Sequence, residues 1–298
     1  MARTLASSLG ALALFLSLLW PSTSSADANP IGATVLTGTP IKSVYVRAAR
    51  GASAQAPQQV LVALHGMGGN GENFARDLVD QADQYGWLLV APTIAYGNWT
   101  DPAQVASEDP KLIRALVDYI DLLPQITGLP IRHQLLLLGH SRGAQLAHRF
   151  AEFRPDKVLA VAALSAGTYT LPESGGVPGA SLSFPFGIKD LDKYGGKAFD
   201  AGSFDDVQFW LGVGADDNNA ADVPRQWDAL EGTTRVQRAQ AFEKAARALG
   251  ASAILKVFGG TKHEFTSEMR TAACSFLGKA MIRPGIHGTP IGETPLPY

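Results

Sequence analysis

Residues 134–150 read Gln134-Leu135-Leu136-Leu137-Leu138-Gly139-His140-Ser141-Arg142-Gly143-Ala144-Gln145-Leu146-Ala147-His148-Arg149-Phe150. The leucine run is short and apolar, as a strand buried on both faces should be. The alanine-rich stretch after Gly143 has helical character. Between the two, Gly-x-Ser-x-Gly predicts a sharp strand-to-helix turn that strains the serine backbone and holds its hydroxyl out at the sheet edge. A side chain two residues to either side of Ser141 would collide with the neighbouring strand or helix, which accounts for Gly139 and Gly143. No other serine of the chain has glycine at both of those positions.

Outward from this turn the same alternation continues. Residues 60–64, 87–91, 134–138, 158–164, 209–213 and 253–258 are strand candidates, and 33–36 and 43–49 predict opening strands that form a hairpin. Helical stripes lie between them: Leu112, Ile113, Leu116, Val117 and Ile120; Val236, Ala239, Phe242, Ala246 and Leu249; and Phe265, Met269, Ala272 and Phe276. The pattern predicts an α/β domain with a mostly parallel central sheet flanked by helices on both faces. No internal repeat or second domain is evident. Residues 52–59 predict a turn or exposed loop. Residues 168–206, rich in Gly, Pro, Ser and Phe, predict either a functional lid or a surface excursion.

Residues 1–28 have the layout of a secretory signal. A positive start, Met1-Ala2-Arg3, precedes an uncharged run from Leu5 to Trp20, and small residues follow through Ala28. That run of about 16 residues is short for a membrane span of ~20, so cleavage after Ala26 or Ala28 and a secreted or periplasmic product are expected. Residues 29–282 then form the α/β domain, and 283–298 an extended tail. The single cysteine, Cys274, permits no intramolecular disulfide, so the fold must rest on the core that about 270 residues can build. Charged residues make up 17% of the chain, against a typical ~25%, and the net charge is −2. That balance speaks against a nucleic-acid or membrane-surface partner.

A serine hydroxyl is barely ionised at neutral pH, so an attacking serine needs a base, and the base needs an orienting group. Of the six histidines, His65 opens a glycine-rich turn, His133 precedes a strand and His140 is inside the elbow. His148 is mid-helix and His287 is in the tail. His263 lies between the last strand and the last helix, at the sheet edge where ligand sites of open α/β sheets collect. The acid is expected after the preceding strand, where Gly214-Ala215-Asp216-Asp217 offers two carboxylates. Adjacent extended residues point to opposite sides, so one of the two aspartates faces the histidine.

Other chemistries fit less well. Gly66-x-Gly68-x-x-Gly71 follows a strand, as a dinucleotide fingerprint does, but Val90-Ala91-Pro92-Thr93 ends the next strand without the ribose-binding acid. No Gly-Lys-Ser/Thr follows that loop either. Histidines are scattered, with no His-x-x-x-His and no cysteine pair. Neither cofactor nor metal is expected.

The chain resembles the α/β-hydrolases. Over 60–280 it is similar to secreted esterases of the poly(3-hydroxybutyrate)-depolymerase-like branch. Leu64-His65-Gly66-Met67-Gly68-Gly69, the 139–143 elbow, the 214–217 loop and Lys262-His263-Glu264-Phe265 carry the resemblance. It departs from secreted depolymerases, which often carry disulfides. The resemblance implies the order Ser141, Asp217, His263 for a catalytic triad, with Asp216 as the alternate acid. It also implies an oxyanion hole from the backbone N–H groups of Met67 and Arg142, so neither side chain is prescribed. Tyr96, Trp99 and Tyr169 lie after strands and are candidates for a substrate pocket or for loop packing. The implied activity is hydrolysis of a small or polymeric carboxylic ester through an acyl-serine. The motifs are shared by thioesterases, dienelactone hydrolases and some peptidases. A non-catalytic extracellular binding protein on this scaffold is the alternative from another class.

Overall fold

A computed structural model describes residues 33–34, 40–173 and 182–280. The signal-like segment 1–28, the tail 283–298 and the 35–36 end of the first strand candidate lie outside the described residues. The strands are β1 (Ala33–Thr34), β2 (Ile41–Arg47), β3 (Gln59–Leu64), β4 (Trp87–Ile94), β5 (Leu135–His140), β6 (Val158–Leu164), β7 (Gln208–Gly214) and β8 (Ser252–Phe258). They form one sheet in the order β1-β2-β4-β3-β5-β6-β7-β8. The β1–β2 and β2–β4 pairs are antiparallel, the first being the expected opening pair, and every other pair is parallel.

The helices are α1 (Gly71–Arg76), α2 (Val79–Tyr85), α3 (Pro102–Asp121), α4 (Leu123–Thr127), α5 (Arg142–Phe153), α6 (Leu191–Gly195), α7 (Ala201–Asp205), α8 (Asp228–Glu231), α9 (Arg235–Ala248) and α10 (Ser267–Lys279). Successive side chains of a strand point to opposite faces, and here both faces are covered. Val60, Val62 and Leu64 pack with Leu112 and Leu116 of α3, Leu146 and Phe150 of α5 and Phe242 of α9. Leu61 and Ala63 pack on the other side with Ala75 of α1, Ala82 of α2 and Met269 and Cys274 of α10. Strands β3 to β7 therefore have almost no room for polar residues, whereas the edge strand β8 leaves Ile254, Lys256 and Val257 exposed. Burial also pushes the Cys274 thiol up to about 12, so it behaves as a small hydrophobe.

Two sequence expectations shift. The last stripe is displaced: Thr266 caps α10 by accepting the Met269 N–H, which leaves Phe265 outside the helix. Met269, Ala273, Cys274 and Leu277 then form its buried side. The described part of 168–206 is divided: its first stretches pack inward, whereas most of 192–202 is an exposed surface excursion. Thr168, Tyr169 and Thr170 are buried, and Phe184, Ile188 and Leu191 pack on Ala106 of α3. Residues 174–181 lie outside the described residues.

Helices α3 and α5 are joined by charge. Asp109, fully buried on α3, binds Arg142, and Arg149 lies 2.8 Å from its Oδ2. Burial alone would raise the Asp109 carboxyl, but the two guanidiniums hold it below the usual carboxylate range. Removing one member of a buried ionic group strands the others without compensation. Asp109→Ala is expected to cost about 3–5 kcal/mol. A urea midpoint that falls with an unchanged m-value checks this, and an unmoved midpoint would contradict it.

Candidate active site

Ser141 closes β5 and opens α5 with φ 55° and ψ −116°, in the left-handed region that L-residues avoid. Its N–H donates to Leu164 O at 2.8 Å, which ties the turn to the end of β6. A Cβ on Gly139 would sit inside the contact shell of Gly143 O, and one on Gly143 would sit inside that of Leu64 O. Both obstacles are main chain, which cannot rotate away. The glycines are therefore obligatory, and they let β3, β5 and α5 approach closely enough to force the strained turn.

The ends of β5, β7 and β8 bring three side chains into line. His263 Nε2 lies 2.9 Å from Ser141 Oγ, and His263 Nδ1 lies 2.7 Å from Asp217 Oδ2. The carboxylate takes the Nδ1–H, which leaves Nε2 as the acceptor facing the serine hydroxyl. The two loops are laced together by main chain: Ala215 N–H donates to Phe258 O at 2.7 Å and Asp216 N–H to Thr261 O at 2.9 Å. A Cβ on Gly214 would overlap Thr261 O, so this close approach also needs glycine. Asp217 is buried, whereas Asp216 is exposed. Burial would raise the Asp217 carboxyl, but the His263 hydrogen bond and the Arg235 charge hold it below its ordinary range.

Arg235, which sequence reasoning passed over, donates to Asp217 Oδ1 at 2.8 Å from the first residue of α9. A cation runs against the partial positive charge at a helix N-terminus, and that misfit is the one local signal that marks it. His140, inside the elbow, also lies beside His263. Its ring lies 5.2 Å from that of His263, and burial with the nearby His263 lowers its pKa to about 3, so it packs there as a neutral ring. Two other histidines are structural. His65 Nε2 accepts the Ile94 N–H at 2.9 Å, and His148 Nε2 accepts the Thr170 N–H at 3.0 Å.

The glycine loop 66–69 lies against the serine, because a Cβ on Gly66 would be 3.3 Å from Ser141 Cβ. Among the described residues, neither the Met67 nor the Arg142 backbone N–H is spent on another group. The Arg142 side chain, in contrast, has its own partners. It binds Asp109 and Glu108 and lies 4.9 Å from the centre of the Tyr96 ring.

The three pocket candidates separate. Tyr169 is 1% exposed and stacks on Phe242 with ring centres 4.9 Å apart, so it belongs to the core and not to a pocket. Tyr96 packs between His65 and the Arg142 guanidinium, with its hydroxyl buried. Trp99, half-buried like Tyr96, lies at this edge, where its ring occupies the space that a side chain on Gly167 would need.

The 167–170 segment is clamped by buried ionisable groups. Arg238 donates to Gly167 O at 2.7 Å, Arg149 to Thr168 Oγ1 at 2.9 Å, and Tyr169 N–H donates to Glu231 Oε2 at 3.0 Å. Burial pushes the Glu231 carboxyl up to about 8. In the unfolded chain a glutamate titrates near ~4.3, so between ~4.3 and about 8 the folded state holds a proton that the unfolded state lacks. Stability therefore falls as pH rises through that window. Glu231→Gln removes the titration, so its melting temperature should decline less than that of the wild type from about pH 6 to about pH 9. Parallel declines would show that Glu231 is ionised in the fold.

A strained serine after a central parallel strand, with aspartate and histidine from later strand ends, defines an α/β-hydrolase arrangement, and the chain has the α/β-hydrolase fold. The family model described as alpha/beta hydrolase fold matches residues 59–202. Among solved structures, a poly(aspartic acid) hydrolase-1 from Sphingomonas sp. KT-1 is similar at TM-score 0.60 and 20% identity, covering 83% of this chain and 97% of that one. The LpqC poly(3-hydroxybutyrate) depolymerase from Bordetella parapertussis is similar at TM-score 0.60 and 21% identity, covering 78% and 84%. An S-formylglutathione hydrolase from Agrobacterium tumefaciens gives TM-score 0.54 at 15% identity, covering 84% and 94%. No curated protein matches the chain.

Proposed function

We propose that this protein is a serine hydrolase that cleaves carboxylic esters through an acyl-enzyme, and that it is exported by its signal-like first 28 residues. The carrying observation is the unbroken line from Ser141 Oγ through His263 to the buried Asp217, at 2.9 and 2.7 Å. Ser141 Oγ attacks the ester carbonyl carbon as its proton passes to His263 Nε2. The carbonyl oxygen becomes an oxyanion facing the Met67 and Arg142 N–H groups. When the carbonyl re-forms, the C–O bond to the alcohol breaks and the alkoxide takes the proton back from Nε2. Water then repeats the sequence on the acyl-serine and releases the acid. Asp217 holds one imidazole tautomer and balances the imidazolium charge throughout.

The names of structural neighbours support the ester reading, since they include a poly(3-hydroxybutyrate) depolymerase and an esterase, PE8. A panel of p-nitrophenyl esters of rising acyl length, run beside an insoluble polyester and a peptide amide, tests the substrate class. Ser141→Ala should fold normally and lose about 10⁶ in kcat. Near-native turnover by that variant, or a fluorophosphonate label on another serine, would overturn the assignment.

The two aspartates should behave differently. Asp217→Asn keeps the shape but offers the histidine the wrong hydrogen-bonding group, and a loss of about 10⁴ in kcat is expected. Asp216→Asn, on an exposed side chain, should stay within a few-fold of wild type. The reverse ranking would make Asp216 the orienting acid.

A further inference from the structure

Both oxygens of the Asp217 carboxylate are engaged. Oδ2 receives His263 and Oδ1 receives Arg235. Arg235 is 5% exposed, and its other terminal nitrogen donates to Asp222 O at 3.1 Å. One planar guanidinium thus spans the acid loop from Asp217 to Asp222 and anchors it to α9. The groups that bear on the carboxylate come from three elements: His263 after β8, His140 at the end of β5 and Arg235 on α9. His140 is neutral, so Arg235 is the fixed cation.

We propose that Arg235 is a positioning residue for the hydrolysis described above. Its guanidinium locks the Asp217 carboxylate toward His263 and, by sharing the carboxylate charge, limits how strongly that carboxylate holds the imidazolium. The proposal rests on the serine-hydrolase reading. The physical consequence concerns both halves of the cycle. A base that is too strongly stabilised as imidazolium accepts the serine proton readily but is slow to return it to the leaving alkoxide, and it is already protonated in mildly acidic solution. A positive charge on the far oxygen of the carboxylate counters both effects, because only part of the carboxylate charge remains for the imidazole. Arginine suits this task where lysine does not. It stays charged when buried, and its rigid fork reaches Oδ1 and the Asp222 carbonyl together.

The test measures kcat, KM and the pH profile of kcat/KM on a p-nitrophenyl ester for wild type, Arg235→Met, Arg235→Gln and Arg235→Lys. Each rate is divided by the fraction of protein that a fluorophosphonate titrates. In the Met and Gln variants the acidic limb of the profile should move up by about one pH unit, the low end of what a neighbouring charge produces. Their kcat should fall about ten-fold with KM little changed, a loss of the size seen when an outer partner of a functional ligand is removed. The Lys variant keeps the charge but not the bridge, so its limb should stay in place while kcat drops a few-fold. A purely structural Arg235 would lower the titratable fraction and leave the limb and the per-site kcat unchanged, which overturns the proposal. Should the Met variant not fold, the Gln and Lys pair carries the same contrast. Failure of the serine-hydrolase reading looks different, because Ser141→Ala would then stay active or the label would miss Ser141 in the wild type.

Discussion

The contact of main chain with main chain at residues 139 and 143 is the constraint on which the site depends. Gly139 faces Gly143 O, and Gly143 faces Leu64 O, at separations that exclude even a methyl group. That closeness seats the first turn of α5 against β3 and β5 and forces Ser141 to a φ of 55°. The serine N–H then bonds the last carbonyl of β6. The strain at Ser141 is held by four elements that each satisfy their own hydrogen bonds and packing. The half-buried Ser141 is therefore fixed by a rigid sheet and not by a flexible loop.

The same logic governs the partners of the serine. The parallel strands end at one edge, so loops far apart in sequence meet there. The loops after β7 and β8 touch through Gly214 and exchange backbone hydrogen bonds. Asp217 and His263 are thus set by main-chain geometry before their side chains interact. Arg235 and the neutral ring of His140 then complete the electrostatic surroundings.

Buried ionisable groups fasten the structure beneath this edge. Asp109 with Arg142 and Arg149 joins α3 to α5, while Arg238, Arg149 and Glu231 hold 167–170. Each group is costly to bury, so the networks act as specific fastenings and not as general stabilisation. They also explain why 168–170 packs inward although the stretch lacks periodicity. Its polar atoms find partners on α5, α8 and α9, which no local pattern in residues 168–206 could announce.

The sequence by itself determined the layered α/β architecture, the strand positions to within a few residues, the strained elbow and the order in which serine, acid and histidine occur. These are legible because they rest on local physics: an apolar run long enough for a strand, a helical stripe, and glycine where a backbone turn has no room. Tertiary structure alone decided that Asp217 is buried while Asp216 is exposed, that Arg235 sits on the far oxygen of that carboxylate, that Tyr169 belongs to the core and that His140 lies beside His263. Each depends on which distant segments become neighbours once the sheet is assembled. A side chain's burial, charge environment and partners arise from those neighbours, and they are not encoded at its own position in the chain.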